Sequence, residues 1–387
     1  MKLFKSLLVA PATLGLLAPL SATANEINLV DVSGYSSSEE VTSISEFNPA
    51  KEIAVTNSRV DGLESRFNNL EAGSFSSTTS ASFGADFVIG AVDGEAAGKE
   101  ATTFNYQYGM NLSTSFTGED SLDLTIETGN SSGSGASGIL DMNAMSDKMT
   151  LDGISYTFPL GDKTTVLVGD STDVSALYST ACTYSAFTDL LSNCGSGTAA
   201  GLGGGGTTAI SSATAAAAYD LGNGFTVAGG LSGSGGSDAG LFTKESMDVY
   251  GVQAAYNTDS YGVSLSYALT DTSATAETTF WGLNAFYSFE GEGLPSISVG
   301  YETEDPSAGV TEEGYFVGLT WPEVGAGSFS IGMSSTENFK DTDTEYYQYE
   351  AAYSYPINDG MTITPGVFIK EGTTDQTGIL VKTSFSF

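Results

Sequence analysis

Carboxylates are the commonest ionisable side chains of this sequence. The chain has 47 Asp and Glu against 12 Lys and Arg, a formal charge of −35 at pH 7, and no histidine. Without imidazole there is no His-based acid–base catalysis, no His metal ligand and no Ser-His-Asp or Cys-His nucleophile. We therefore expect no enzyme and no cofactor, and nucleic acid is not expected as a partner because so acidic a chain repels phosphate.

One acidic run has the oxygen-rich composition of a weak divalent-ion site. The stretch "DTDTE" holds Asp341, Asp343 and Glu345, which are hard oxygen ligands of the kind that calcium prefers. The run lacks the glycine and the downstream ligand of an EF-hand. A milder alternative is that calcium or magnesium bridges these carboxylates to anionic lipid headgroups.

The chain begins with the features of an export signal. "MKLFKSLLVAPATLGLLAPLSATA" has Lys2 and Lys5, then an apolar run broken by two prolines, then an A-x-A motif ending at Ala24. This pattern predicts a secretory signal at residues 1–24, because a transmembrane anchor needs about 20 unbroken apolar residues. In an exported chain, Cys182 and Cys194 are expected to form a disulfide that closes one loop.

Two further segments precede the main part of the chain. Residues 25–50 are polar and without a clear period, which predicts a leader. Residues 51–73 place five apolar side chains at a and d positions of a short heptad pattern, which predicts a coiled-coil-like amphipathic helix: Ile53, Val60, Leu63, Phe67 and Leu70. This helix either self-associates or packs on a neighbour or inside a lumen.

From residue 81 to residue 387 the apolar side chains alternate with Ser, Gly, Asn, Gln and Thr, which is the period of a β-strand. In "YGVSLSYALT", for example, Tyr261, Val263 and Leu265 oppose Ser264 and Ser266. The pattern predicts sixteen strands, at 81–92, 103–117, 120–129, 150–160, 162–170, 211–220, 223–233, 246–257, 258–270, 277–290, 294–303, 312–322, 326–335, 345–356, 361–371 and 376–387.

The connections and the composition predict which kind of all-β protein this is. Short turns alternate with long acidic connections, only 15% of residues are charged, and no window after the signal is long and apolar enough for a transmembrane helix. A soluble sandwich would carry charge on its outer face. The strands are therefore predicted to form an all-β, transmembrane antiparallel β-barrel, with lipid on the apolar face and water on the polar face.

The last strand ends on aromatic side chains. Phe385 and Phe387 lie on the apolar face of "TGILVKTSFSF", where they suit the rim of a bacterial outer membrane. We interpret them as the C-terminal signal of the barrel, with the barrel-assembly machinery as the expected partner.

The stretch "VTNSRVDGLESRFNNLEAGSFSSTTSASFGADFVIGAV" resembles the junction between coiled coil and first strand in cyanobacterial outer-membrane porins, related to the OprB-like carbohydrate-selective and iron-uptake porins. The resemblance covers about residues 52 to 92, and beyond them only the strand pattern and the terminal Phe. Relatives carry an S-layer-homology domain ahead of the coil, whereas the segment here is too short for a complete one. The resemblance implies a sixteen-stranded homotrimeric channel for ions, sugars or inorganic iron.

The connection at residues 171–210 is the longest. It is the third long loop, which in the similar porins folds into the lumen and sets the constriction. Here it contains Cys182 and Cys194, whose disulfide would restrict the loop by closing it. The alternative is a surface loop that the disulfide protects from proteases.

The strand period also assigns side chains to the water-filled side. The predicted pore-lining acids are Asp86, Asp123, Glu127, Glu302 and Glu350, and the predicted pore-lining bases are Lys370 and Lys382. An excess of carboxylates on a pore wall raises the local concentration of cations, so we expect cation preference. Phe286, Phe316 and Phe368 also fall on this side, where they either form a stacking track for sugars or pack against a plug or the third loop.

Overall fold

The structure is a computed structural model of the 387-residue chain, and it describes residues 78–95, 100–194, 213–234, 243, 246–273, 276–291, 293–335 and 344–387. The predicted signal at 1–24, leader at 25–50 and helix at 51–73, with its five heptad residues, lie outside the described residues. So do Asp341 and Asp343 of the acidic run.

Nearly all the regular secondary structure of the described residues is β-strand, and the prediction of sixteen strands is confirmed. The strands are β1 (Thr79–Asp93), β2 (Thr103–Thr114), β3 (Ser121–Gly129), β4 (Thr150–Pro159), β5 (Thr164–Asp170), β6 (Ala213–Gly222), β7 (Phe225–Gly233), β8 (Asp248–Asn257), β9 (Tyr261–Ser273), β10 (Ala276–Ser288), β11 (Ser296–Pro306), β12 (Glu312–Val324), β13 (Gly327–Ser335), β14 (Tyr347–Asn358), β15 (Met361–Lys370) and β16 (Gln376–Ser386).

The sheet closes on itself. Each strand pairs antiparallel with its neighbours in sequence, and β1 pairs with β16 in a register that runs from Gly84 opposite Ser386 to Asp93 opposite Thr377. Just beyond the ladder, the Phe83 amide donates to the Phe387 carbonyl at 2.8 Å. A closed barrel has no row of unpaired backbone groups, so its backbone can be placed in an apolar medium.

The two faces of the wall differ in polarity, as the alternation predicts. In β9 the outward Leu265 is 47% exposed, while the inward Ser264 and Ser266 are each 1% exposed. Large apolar side chains are exposed in the same way on the outward face of strand after strand. Such a continuous apolar surface marks contact with an apolar environment.

Aromatic side chains edge this apolar surface near both rims of the barrel. At the rim of the short turns the ring pairs are Phe83–Phe387, Phe116–Tyr156, Phe225–Tyr256, Tyr287–Phe289 and Trp321–Phe329. Towards the rim of the long connections they are Phe87–Phe104, Tyr267–Trp281 and Tyr315–Tyr347. Two aromatic girdles around an apolar band are typical of transmembrane β-barrels.

The described parts of the long connections contain two short helices. Helix α1 (Gly135–Ile139) belongs to the β3–β4 connection, and a 3₁₀ helix (Asp189–Cys194) belongs to the β5–β6 connection. Among the described residues, no helix is long and apolar enough to cross a bilayer.

The turn between β2 and β3 is organised by the carboxylate of Asp120. One oxygen accepts hydrogen bonds from the Ser115 hydroxyl at 2.8 Å and from the Phe116 and Thr117 amides at 2.9 and 2.7 Å. The other accepts from the Tyr156 hydroxyl of β4 at 2.7 Å. These donors favour the charged carboxylate, the Tyr156 hydroxyl most of all, and hold the pKa of Asp120 well below its usual range.

We expect Asp120→Asn to destabilise the barrel at neutral pH and to have less effect in acid. Because folding lowers the pKa of Asp120, its stabilisation is present above the ordinary Asp pKa of about 4 and is lost as the pH falls through the folded value. Urea unfolding midpoints of both proteins between pH 7 and pH 2.5 would measure the difference. A difference that stays constant with pH would contradict this account.

We expect Leu265→Lys on the outward face to destabilise the barrel in lipid vesicles by about 2–4 kcal/mol, since the ammonium enters hydrocarbon near mid-height. Thr125→Lys is the matched control, because Thr125 lies on the inward face of β3 between Asp123 and Glu127. Denaturant titration of the refolded proteins gives both values. Equal effects of the two substitutions would argue against a lipid-facing Leu265.

Candidate functional site: the barrel interior

Residues 171–194, here called the inner segment, are the described part of the β5–β6 connection and lie against the inward face of the wall. From residue 179 to residue 187 every second backbone amide donates to an inward side chain of a strand further along the sheet. The pairs are Ser179 with Gln253 of β8 at 2.6 Å, Ala181 with Ser264 of β9 at 3.0 Å, Thr183 with Ser298 of β11 at 3.0 Å, Ser185 with Thr320 of β12 at 3.3 Å, and Phe187 with Glu350 of β14 at 2.8 Å.

The length of this run agrees with a position inside the barrel. Eight residue steps of extended chain reach about 26 Å, whereas the six strand spacings from β8 to β14 measure at least about 29 Å along the wall. A chain on the outside of a curved wall would have to be longer than the arc that it follows. The inner segment therefore runs as a chord across the interior, with alternate amides directed at the wall.

Glu350 is the strongest contact between the inner segment and the wall. Its carboxylate is 2% exposed and accepts from the Tyr184 hydroxyl, the Phe187 amide and the Thr188 amide, each at 2.8 Å, and from the Thr188 hydroxyl at 2.5 Å. Hydrogen bonds to a charged acceptor are stronger than neutral ones. Burial, together with the nearby carboxylate, raises the pKa of the Tyr184 phenol far above its usual range, so this side chain stays a donor.

Aromatic packing adds to this contact. The Tyr184 ring meets the ring of Phe316 edge-on, with centroids 5.0 Å apart. Glycine makes the close approach possible, because a Cβ added at Gly332 of β13 would lie 2.6 Å from the Tyr184 hydroxyl. The inner segment therefore sits on a local depression in the side chains of the wall.

After residue 188 the inner segment turns back through the 3₁₀ helix. Gln348 donates from Nε2 to the Leu190 carbonyl at 2.6 Å, and Asn284 donates from Nδ2 to the Cys194 carbonyl at 3.2 Å. The predicted disulfide joins Cys194 to Cys182, with the two Cα atoms 6.1 Å apart. Both arms of the hairpin are thus fixed to the wall and to each other.

The β3–β4 connection also enters the interior, which was not predicted. Ala136 and Ile139 of α1 and the following Met142 are buried in one apolar cluster with the wall residues Val88 and Leu380. Phe187 of the inner segment and Phe368 of β15 belong to the same cluster. The insertion of residues 130–149 thus covers the wall where β1 meets β16.

The five predicted acids all have the register of the inward face, but they fall into two groups. Glu350 and Glu302 are each only 2% exposed, so they do not border open space. Asp86, Asp123 and Glu127 are half-buried on β1 and β3. Asp86 accepts from Gln107 Nε2 at 2.7 Å, and Asp123 accepts from the Ser121 hydroxyl at 2.6 Å.

The predicted bases and aromatic residues are inward by register as well. Lys370 and Lys382 are half-buried on β15 and β16. Phe316 and Phe368 are buried and pack against the inner segment. The Phe286 ring of β10 lies over Gly262 of β9, where an added Cβ would come within 2.6 Å of it. Phe316 and Phe368 therefore pack against the third long loop, which was the alternative to a stacking track for sugars.

The predicted divalent-ion site has one described member. Glu345 accepts a hydrogen bond from the Tyr347 hydroxyl. Within the described ranges, no group of three or more Asp, Glu, Cys or His side chains is placed to hold a metal ion.

The residues that sequence reasoning missed are the small polar side chains that receive the inner segment: Gln253, Ser264, Ser298 and Thr320. Their inward register was predictable from the period of two. Their partners were not, because a strand period says nothing about which loop covers a given wall residue.

No family model matches the chain. An uncharacterized protein of Nostoc sp. is 40% identical over 83 residues, which is 21% of this chain and 14% of that protein. The chain therefore spans about a seventh of the length of this curated relative.

Solved structures share the fold at low sequence identity. An engineered mutant of the Rh. blastica porin matches with a TM-score of 0.56 and 15% identity, covering 80% of this chain and 100% of that one. Pseudomonas putida OprB matches with a TM-score of 0.58 and 10% identity, covering 80% of this chain and 94% of that one. The barrel thus has a porin-like fold.

We expect Glu350→Ala to release the inner segment from the wall, because the Phe187 and Thr188 amides lose their acceptor. Hydrogen exchange of residues 183–190, measured by mass spectrometry on the oxidised, refolded barrel, should be faster by about tenfold or more, given the strength of hydrogen bonds to charged groups. Asp123→Ala, which removes an inward carboxylate of β3, should leave this exchange unchanged. Unchanged protection in Glu350→Ala would contradict the assigned contact.

Proposed function

We propose that this protein is an outer-membrane porin, in which a water-filled barrel lets ions and small hydrophilic solutes diffuse passively across the membrane. The inner segment narrows the barrel, and cations are preferred. The homotrimer implied by the sequence resemblance is part of the same proposal.

The observation that carries the proposal is the opposite polarity of the two faces of a closed wall. The outward face is apolar between two aromatic girdles, and the inward face is lined by hydroxyl, amide and carboxylate side chains. A bilayer accepts such a wall because every strand is paired on both edges. A polar interior hydrates, so it favours a path for water and solutes over a packed core.

The path is narrowed on one side. The inner segment covers the wall from β8 to β14, and α1 covers the junction of β1 and β16. The wall from β2 to β5 has half-buried inward residues such as Gln107, Asn111, Thr125 and Ser155. The proposed path runs between this wall and the inner segment.

Cation preference is supported by the charges along this path. Asp86, Asp123 and Glu127 are half-buried inward carboxylates, and Lys382 is a half-buried amine on β16. Carboxylates in a narrow pore with low-dielectric walls raise the local potential for cations. General diffusion is favoured over a sugar-specific channel because Phe316 and Phe368 are covered by the inner segment and their faces are not open to a passing sugar.

The test is the reversal potential of the refolded protein in a planar bilayer under a potassium chloride gradient, recorded together with the open-channel conductance. We expect open channels that prefer potassium. The triple variant Asp86→Asn, Asp123→Asn, Glu127→Gln should lose most of this preference, because it removes three wall charges. No conductance from barrels that show the β-sheet signal of the folded protein would overturn the proposal.

A second variant tests the constriction in the same bilayers. Replacing residues 183–193 by a short Gly-Ser linker should raise the conductance, since it removes the part of the inner segment that Glu350 and Thr320 hold. An unchanged conductance would show that the inner segment does not limit the flow of ions.

A further inference from the structure

A pocket lies inside the barrel between the inner segment and the short-turn rim. It has a volume of about 210 Å³ and is lined by inward residues of β13 to β16 together with residues 185–187. Seven of its lining side chains carry a hydroxyl and one, Lys382, carries an amine. We call it the hydroxyl pocket. Its volume is below that of sites for drug-sized ligands, so it suits a small solute.

The hydroxyls form an ordered surface on adjacent strands. Ser328 lies opposite Ser354 across β13 and β14, and Thr362 lies opposite Ser384 across β15 and β16. The Thr364 hydroxyl reaches the Ser354 hydroxyl at the long distance of 3.5 Å. Each hydroxyl can rotate to donate or accept, so this surface keeps the capacity to bind a polar ligand.

Lys382 gives the hydroxyl pocket its charge. Within the described part of the chain its amine makes no hydrogen bond or ion pair, and none of the lining residues there is a carboxylate. The nearest carboxylates by register, Asp86 and Glu350, keep their charge but do not line the hydroxyl pocket. Asp86, opposite Ser384, accepts from Gln107, and the Glu350 oxygens accept from the inner segment. Among the described residues, Lys382 is thus the one charged residue that lines the hydroxyl pocket, and no carboxylate lines it.

The chemistry of this lining selects among ligands. A cation is repelled by Lys382. A neutral sugar lacks an aromatic face to stack on, because the Phe187 ring is 5% exposed and packs into the apolar cluster. A small anion with several oxygens can accept from the ammonium and from the hydroxyls at once, and charge-assisted hydrogen bonds of this kind are the strong ones.

We propose that the hydroxyl pocket is a binding site for a small oxyanion of the phosphate or sulfate class, which the Lys382 ammonium and the surrounding hydroxyls hold. The inference rests on the proposed channel function for the route by which the anion arrives. It adds to that function one local anion site on an inward face where the predicted carboxylates outnumber the predicted amines.

The first test is direct binding of inorganic phosphate to the refolded barrel in detergent, followed by phosphorus NMR line broadening and by calorimetry at pH 7. We expect saturable binding that is weaker by about tenfold or more in Lys382→Gln, because a charge-assisted contact is lost. Lys382→Arg should keep the binding. Thr364→Val should weaken it while leaving the charge in place.

Lys163→Gln is the matched control, since Lys163 lies in the β4–β5 turn on the same rim but outside the hydroxyl pocket. It should leave phosphate binding unchanged. An equal loss in both Lys→Gln variants would mean general attraction by charge and would overturn the proposed site. Absence of saturable binding to the wild-type barrel, or glucose displacing phosphate, would overturn it as well.

The same bilayers used for the conductance separate this inference from the proposed function. Phosphate added to potassium chloride should reduce the conductance of the wild-type channel and not that of Lys382→Gln. Normal potassium chloride conductance without phosphate binding would contradict the proposed phosphate site but not the proposed channel function. Phosphate binding in micelles without conductance would overturn the channel and leave the site.

Discussion

Backbone hydrogen bonding is the constraint on which the whole fold depends. A sheet that meets an apolar medium on one face cannot leave a strand edge unpaired, because each lost hydrogen bond costs several kcal/mol there. The pairing of β1 with β16 removes the last edge. In the closed sheet the alternation of side chains separates the two faces, and the exposures place apolar residues such as Leu265 outside and polar residues such as Ser264 inside.

The polar inner face then determines how the inner segment can be held. An extended chain directs every second amide to the same side, and the wall offers inward side-chain oxygens from Gln253 on β8 to Glu350 on β14. Alternate amides of residues 179–187 are therefore paired with side chains of the wall in place of a partner strand. This explains how these amides can lie against the wall without remaining unpaired.

The sequence was most informative where one physical rule acts alone. Each predicted strand begins and ends within three residues of the observed one, because alternation and turn residues are local properties. The inward register of Glu350 and Phe316 followed from the same rule. The segment that covers these residues lies more than 120 residues away in the sequence. The strand period could therefore assign Glu350 to the inward face, but it could not identify Glu350 as the acceptor for Tyr184 and Thr188. The burial of α1 was missed for the same reason.

The chord formed by the inner segment also gives the two halves of the wall different mechanical properties. From β8 to β14 the inner segment forms a second layer on the wall. Backbone amides of residues 179–187 donate to side chains of five strands and so connect these strands to one another. From β2 to β5 residues 179–187 make no described hydrogen bond to the wall, which there contacts the β3–β4 connection through Gln107 and the Asn143 amide. Lateral pressure that flattens the cross-section must stretch the inner segment between β8 and β14. Between β2 and β5 this resistance is missing. We therefore expect deformation of the cross-section to be larger in the β2–β5 arc, which carries the inward carboxylates Asp123 and Glu127.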